Sequence, residues 1–163
     1  MKTLLIVYCS TTGGTWQMAR AVARAAAAGG EVAVRMLEAS AAGPTDVLAA
    51  DAYVFAAPEN LASMAGLMKD FFDRTYYAAL ERIGGRAYAA LVCAGSDGQG
   101  AVRQIERIAT GWRLKAACAS TIVCTHAQTP AAIAAPKTIA NADIGRCEEV
   151  GALLAAGLSA GIY

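Results

Sequence analysis

The chain has 163 residues, enough for one domain that buries its own core without disulfides or metals. Apolar residues make up 56% and aromatic ones only 7%, and the 40 alanines are about a quarter of the chain, so the apolar excess is small side chains that pack helices closely; disorder is excluded. Fourteen basic residues against 13 acidic ones leave a net charge of +1, so no whole-chain field favours nucleic acid or an anionic membrane.

Short apolar runs alternate with helical periodicity along the chain. Leu4 to Cys9 is almost wholly apolar, which suits a strand covered on both faces. A helix follows with Met18, Val22 and Ala25 on one stripe, and Gly29-Gly30 stops it. Val32, Val34 and Leu37 make a second strand with an exposed side, suited to a sheet edge. Ala42 to Ala49 is a weak helix, and Ala52 to Ala57 is the third strand. Met68, Phe72, Tyr76, Ala79 and Ile83 recur at helical steps and end at Gly84-Gly85. Tyr88 to Ala94 is the fourth strand. Val102, Ile105, Ala109 and Trp112 form the next helical stripe, Ser120 to Thr125 the fifth strand, and Ile144, Cys147, Gly151, Leu154 and Leu158 the last helix. Five strands alternating with five helices predict an open α/β sheet in a single domain over residues 1–163. The segment from Ala127 to Asn141 is long for a connection; it is read either as a plain link with a helical turn or as a lid or subunit contact.

No run is apolar and long enough to span a bilayer: the longest one without a charge or strong polar group, near Val150 to Ile162, is short and rich in Gly and Ala. Leu4 to Cys9 is shorter than the apolar region of a signal peptide. The five cysteines contain no C-x-x-C pair, and His126 is the single histidine, so no zinc or iron–sulfur ligand set assembles at family spacing. The cysteines are expected to be reduced core residues of a cytoplasmic protein.

In an open α/β sheet, ligands sit beyond the carboxyl ends of the strands, where strand order reverses. The loop after the first strand is Ser10-Thr11-Thr12-Gly13-Gly14-Thr15, four hydroxyl residues and two glycines at a helix start. Backbone N–H groups and the helix dipole favour an anion there, and hydroxyls donate to phosphate oxygens. The plain alternative is a Ser/Thr cap with a glycine turn. The nearest cation in sequence is Arg20, more than a turn along the helix, so binding is expected to rest on hydroxyls and amides. Other phosphate chemistries fail on particular residues. No Gly-Lys pair supplies a P-loop, Gly13-Gly14 is not a G-x-G-x-x-G fingerprint, Thr15 stands where a cysteine phosphatase needs arginine, and no acidic residues end the first strand.

The S-x-T-G-x-T pattern of residues 10–15 resembles the phosphate loop of the flavodoxin superfamily. The segment Pro58-Glu59-Asn60-Leu61-Ala62-Ser63-Met64-Ala65-Gly66, followed by Lys69, Phe71, Asp73 and Arg74, is similar to that of the FMN-dependent NAD(P)H and quinone reductases within it. Ala94-Gly95-Ser96-Asp97-Gly98 resembles the superfamily's second flavin loop. The resemblance covers roughly residues 3 to 125. It implies a flavodoxin-like three-layer sandwich with a five-stranded parallel sheet in the order 2-1-3-4-5. FMN is the implied cofactor, its phosphate on residues 10–15 and its ring between Pro58, Glu59, Asn60 and Leu61 on one side and Ala94 to Gly98 on the other. NAD(P)H or a redox partner protein is the implied electron donor and a quinone, a flavin or another small molecule the acceptor, with a homo-oligomer possible in this family.

Electron-carrying flavodoxins are strongly acidic and sandwich the flavin between aromatic side chains. This chain carries +1, and neither ring loop contains Tyr, Trp or Phe, which shifts the reading from carrier to reductase. Trp16, Tyr76 or Tyr77 could close the ring site, or simply pack. His126 is placed to assist proton transfer or merely to face solvent, Glu59 to bond the flavin or face water, and Asp73 and Arg74 to hold their helix. No catalytic side chain is required, because the cofactor supplies the chemistry.

Overall fold

A computed structural model describes residues 1–163. Its sheet strands are β1 (Lys2–Tyr8), β2 (Val32–Glu38), β3 (Ala52–Asn60), β4 (Ser63–Met64), β5 (Ala87–Ala94), β6 (Lys115–Ala116) and β7 (Thr121–Cys124). The helices are α1 (Gly14–Ala27), α2 (Pro44–Ala49), α3 (Gly66–Ala79), α4 (Gln99–Gly111), α5 (Pro130–Ala134) and α6 (Asn141–Ser159). The five long strands lie in the order β2-β1-β3-β5-β7, all parallel, which is the expected 2-1-3-4-5. Two short strands were not anticipated: β6 pairs parallel with the start of β5, and β4 turns back antiparallel on the end of β3.

Alternate residues of each central strand point to opposite layers. Leu4, Ile6, Val54 and Leu91 join Met18 and Val22 of α1 and Cys147 and Leu154 of α6 in one core of 21 residues. Leu5, Val7, Tyr53, Phe55 and Val92 join Phe71 and Phe72 of α3, Ile105 of α4 and Trp112 in the other, of 27 residues. Helices therefore cover both faces, and burial on both sides is why the strands read as unbroken apolar runs. The alanine excess serves close packing between α1 and α6. A Cβ at Gly151 would lie against the backbone of Val22 and Ala26.

The α3 stripe differs from the expected one. Its buried residues are Met68, Phe71, Phe72, Thr75 and Ala79, while Tyr76 is exposed. The helix also ends at Ala79 rather than at Gly84-Gly85, because Leu80 adopts φ −53 and ψ 127. Ile83 is buried from the following turn, so the apolar pattern outruns the helix. Arg74 holds α3 in place: Nε donates to Asp70 at 2.7 Å, and the two Nη groups donate to the carbonyls of Ala42 and Ala39. No helix is long and apolar enough to cross a membrane.

Candidate functional site

The strand order reverses between β1 and β3, and a cleft of about 380 Å3 opens at their carboxyl ends. Its floor and one wall come from the loop that enters α1. Gly13 takes φ +89, a left-handed conformation that glycine adopts without penalty, and swings the chain into the helix. Ser10 Oγ accepts from Gly13 N at 3.2 Å, which closes the turn. No side chain caps α1, so the N–H groups of its first turn are open to the cleft. Ser10, Thr11, Thr12, Gly14 and Thr15 line it, and the three threonine hydroxyls there have no partner within the chain. Gly14 makes room for the wall behind it: a Cβ at this position would stand 2.7 Å from Cys93 Sγ.

The same backbone device recurs at α4, with a different ending. Gly98 takes φ +85, and a Cβ there would stand 2.6 Å from Ile122 Cγ2. The first turn of α4, however, is satisfied from within the chain. Glu59 Oε1 accepts from Gly98 N at 2.9 Å, and Oε2 accepts from Ala101 N at 3.2 Å. The two helix starts at this sheet edge are thus chemically distinct. One carries its own carboxylate, and the other offers free donors to an incoming anion.

The opposite wall is a hairpin rather than the expected loop. β3 runs on through Pro58 to Asn60, turns at Leu61-Ala62 and returns as β4, with Ala65 N bonding Pro58 O at 3.0 Å. Gln104 of α4 fastens β4, its Oε1 accepting from Met64 N at 2.8 Å and its Nε2 donating to Ser63 Oγ at 2.8 Å. Pro58, Glu59 and Asn60 face the cleft, and so do Ala94 and Gly95 across from them. Leu61 stands fully exposed at the hairpin tip, and Ser96 and Asp97 are exposed on the turn before α4. Gly13, Leu61, Ser96, Asp97 and Gly98 therefore shape the two helix entries and the hairpin without lining the cleft.

Six lining residues were not anticipated from the sequence: Cys93, Thr125, Ala127, Ile133, Ala134 and Lys137. Thr125 follows directly from the strand-end rule, because β7 ends beside β5. The others lack a local signal. The 127–141 segment, with α5 inside it, lies along the α1 loop, where Lys137 N donates to Thr12 O at 2.8 Å. Gln17 clamps it there: Nε2 donates to Gly13 O at 3.0 Å and Lys137 O at 2.7 Å, and Oε1 accepts from Ile139 N at 3.1 Å. The nearest cation to the phosphate loop is accordingly Lys137 rather than Arg20, which stacks over Trp16 at 4.6 Å.

No aromatic residue lines the cleft. Trp16 borders a separate groove behind α1, and Tyr76 and Tyr77 pack on each other 4.9 Å apart on the exposed side of α3. His126 is exposed, with φ +56, and its N–H bonds Gly95 O at 2.8 Å, so its observed role is in the turn. All five cysteines are free. Burial pushes the Cys93 thiol up, a shift that the charge of Lys137 opposes. The site carries Glu59, Lys137 and Cys93 as its ionisable side chains. It offers hydroxyls and amides at one end and a flat slot between two backbone walls at the other, a donor set that fits a flavin mononucleotide.

Comparison with known proteins agrees. Residues 44–129 match the family described as NADPH-dependent FMN reductase, a segment that includes both ring walls and stops short of the α1 loop. Among solved structures, the chain is similar to a flavodoxin from the domain Archaea, with a TM-score of 0.79 and 20% identity over 96% of this chain and 98% of that one. It is also similar to a flavodoxin, WrbA-like protein from Agrobacterium tumefaciens, with a TM-score of 0.72 and 16% identity over 99% of each chain. It overlays the rubredoxin oxygen:oxidoreductase of Desulfovibrio gigas with a TM-score of 0.78 and 16% identity, covering 99% of this chain and 37% of that one. Comparison with curated protein sequences finds no match. The family match takes in just over half the residues, and the protein belongs to the NADPH-dependent FMN reductase family, a membership that indicates FMN as its cofactor.

Proposed function

We propose that the protein is an FMN-dependent oxidoreductase that takes electrons from NAD(P)H and passes them to a small acceptor such as a quinone or free flavin. The observation that carries this reading is the ring end of the cleft, where backbone from Pro58 to Asn60 faces Ala94-Gly95 with no aromatic side chain over it. A nicotinamide needs that open face to stack on. FMN, when bound, supplies hydride acceptance and the onward transfer of electrons.

The chain's own residues bind and orient. Hydroxyls of Thr11, Thr12 and Thr15, with the first N–H groups of α1, hold the phosphate end. Glu59 fixes the hairpin wall against the start of α4, so the slot keeps its width when a planar group enters. Backbone N–H groups of residues 95–97, which have no partner within the chain, would be the donors for the polar edge of the ring. The near-neutral surface suits turnover of small molecules more than docking to a basic redox protein. Reduced thiols in both cores are consistent with a cytoplasmic setting.

Steady-state consumption of NADPH and of NADH by the FMN-loaded protein, with a quinone or free flavin as acceptor, tests the reading. Multiple turnovers with at least one donor are expected. A negligible rate with both donors, together with full reduction by a protein donor, would identify an electron carrier instead.

A further inference from the structure

The cleft holds one formal cation and one formal anion, Lys137 and Glu59, at opposite ends. Glu59 is committed to the start of α4. Lys137 has no carboxylate partner. Its ammonium donates to three carbonyls at the end of α5, those of Ala132 at 2.7 Å, Ile133 at 2.8 Å and Ala135 at 2.5 Å. Neutral carbonyls leave its charge uncompensated at the phosphate end of the cleft. The base of its side chain stands over the first residue of α1, with Lys137 Cβ 3.4 Å from where a Cβ at Gly14 would sit. Its main chain is bonded to the α1 loop through Thr12 and clamped by Gln17, so the root of the side chain is held beside the start of α1.

We propose that Lys137 is the phosphate-selecting residue of the cleft, leaving the α5 carbonyls to pair with a phosphate monoester dianion seated on the first turn of α1. The inference rests on the cleft binding a flavin. A lysine stem has four rotatable bonds, so the exchange needs only side-chain rotation. A phosphate monoester carries nearly two negative charges at neutral pH, and a charge-assisted bond to it outweighs bonds to neutral carbonyls. The exchange also couples the two ends of the segment. When the ammonium turns to phosphate, the five-residue α5 loses the donor that closes its last turn, so cofactor phosphate and α5 order are linked.

The test measures dissociation constants for FMN and riboflavin by flavin fluorescence, on wild type and on K137M and K137Q. Wild type is expected to favour FMN strongly. Each variant is expected to lose about ten- to hundredfold on FMN, the range for one hydrogen bond to a charged group, and to change less than about twofold on riboflavin. Backbone hydrogen exchange over residues 131–135 in wild type is expected to speed up with FMN and stay unchanged with riboflavin. Equal losses on both flavins would show that Lys137 only pins the segment, and no loss on either would show that hydroxyls and amides suffice; both overturn the inference while flavin binding stands. A wild type that binds neither flavin would overturn the cofactor reading along with it.

Discussion

Glu59 on the hairpin and Gly98 at the entry to α4 are joined by a 2.9 Å bond from the Gly98 N–H to the Glu59 carboxylate. That contact ties the two backbone walls of the cleft together, while the start of α1 has no side-chain cap. Gly100 makes the approach possible, since a Cβ there would run into the Ala62 carbonyl and stand 3.2 Å from Glu59 Oε2.

Replacing Glu59 by Gln removes the charge and sets an amide against N–H donors. The expected loss is about 1–2 kcal/mol for a helix cap of this kind, or roughly 3–6 °C in Tm for a domain of this size. The walls should also lose their register, so FMN affinity should fall while the affinity for free phosphate, which does not touch the hairpin, holds. Thermal unfolding and two binding titrations check this. An unchanged Tm would show that the carboxylate contributes nothing to the scaffold.

Leu61 and Ala62 sit at φ +52 and +59, a two-residue hairpin turn usually made by Asn-Gly. Ala pays for that left-handed conformation, so Ala62→Gly is expected to raise stability by about 1 kcal/mol. The gain should appear as a higher urea midpoint at unchanged slope. A loss would mean that the Ala62 methyl packs more than it strains.

Burial pushes the Cys9 and Cys147 thiols from the ordinary 9.0 to about 11. Between those values the unfolded chain has lost protons that the folded chain keeps, so stability is constant below pH 9 and falls as pH rises towards 11. The drop is at most ~3 kcal/mol for each thiol. Buried Tyr53 and Tyr88 are raised as well and add to the fall at the alkaline end. Urea midpoints across pH 8 to 11 should show this slope, and a Cys9→Ala/Cys147→Ala double variant should flatten its part between pH 9 and 10. An unchanged slope in the double variant would assign the fall to other groups.

The parallel sheet and its two helical layers were legible because strands buried on both faces must be continuously apolar, as Leu4 to Val7 and Tyr88 to Ala94 are, while the strand order came from the resemblance of the loops. The place of the α1 loop at the cleft was legible because ligand sites open beyond the carboxyl end of the first strand, where the hydroxyls and glycines of residues 10–15 stand. The hairpin was hidden by its composition, since Leu61-Ala62 carries none of the residues that usually mark a tight turn. The end of α3 was hidden because Ile83 continues the apolar spacing from outside the helix. Lys137 and the capping role of Glu59 depend on contacts across 125 and 39 positions, Thr12 to Lys137 and Glu59 to Gly98, which no local pattern encodes.

If the cleft holds FMN with its ring face open to a nicotinamide, NADPH reduces the flavin of the loaded protein directly. The most direct measurement is the visible absorbance of the FMN-loaded protein during anaerobic addition of NADPH. The flavin band is expected to appear on loading and to bleach as NADPH is added, with about one equivalent sufficient. A protein that is colourless once unbound FMN is removed would contradict FMN binding, and a band that persists under excess NADPH and NADH would contradict an open ring face.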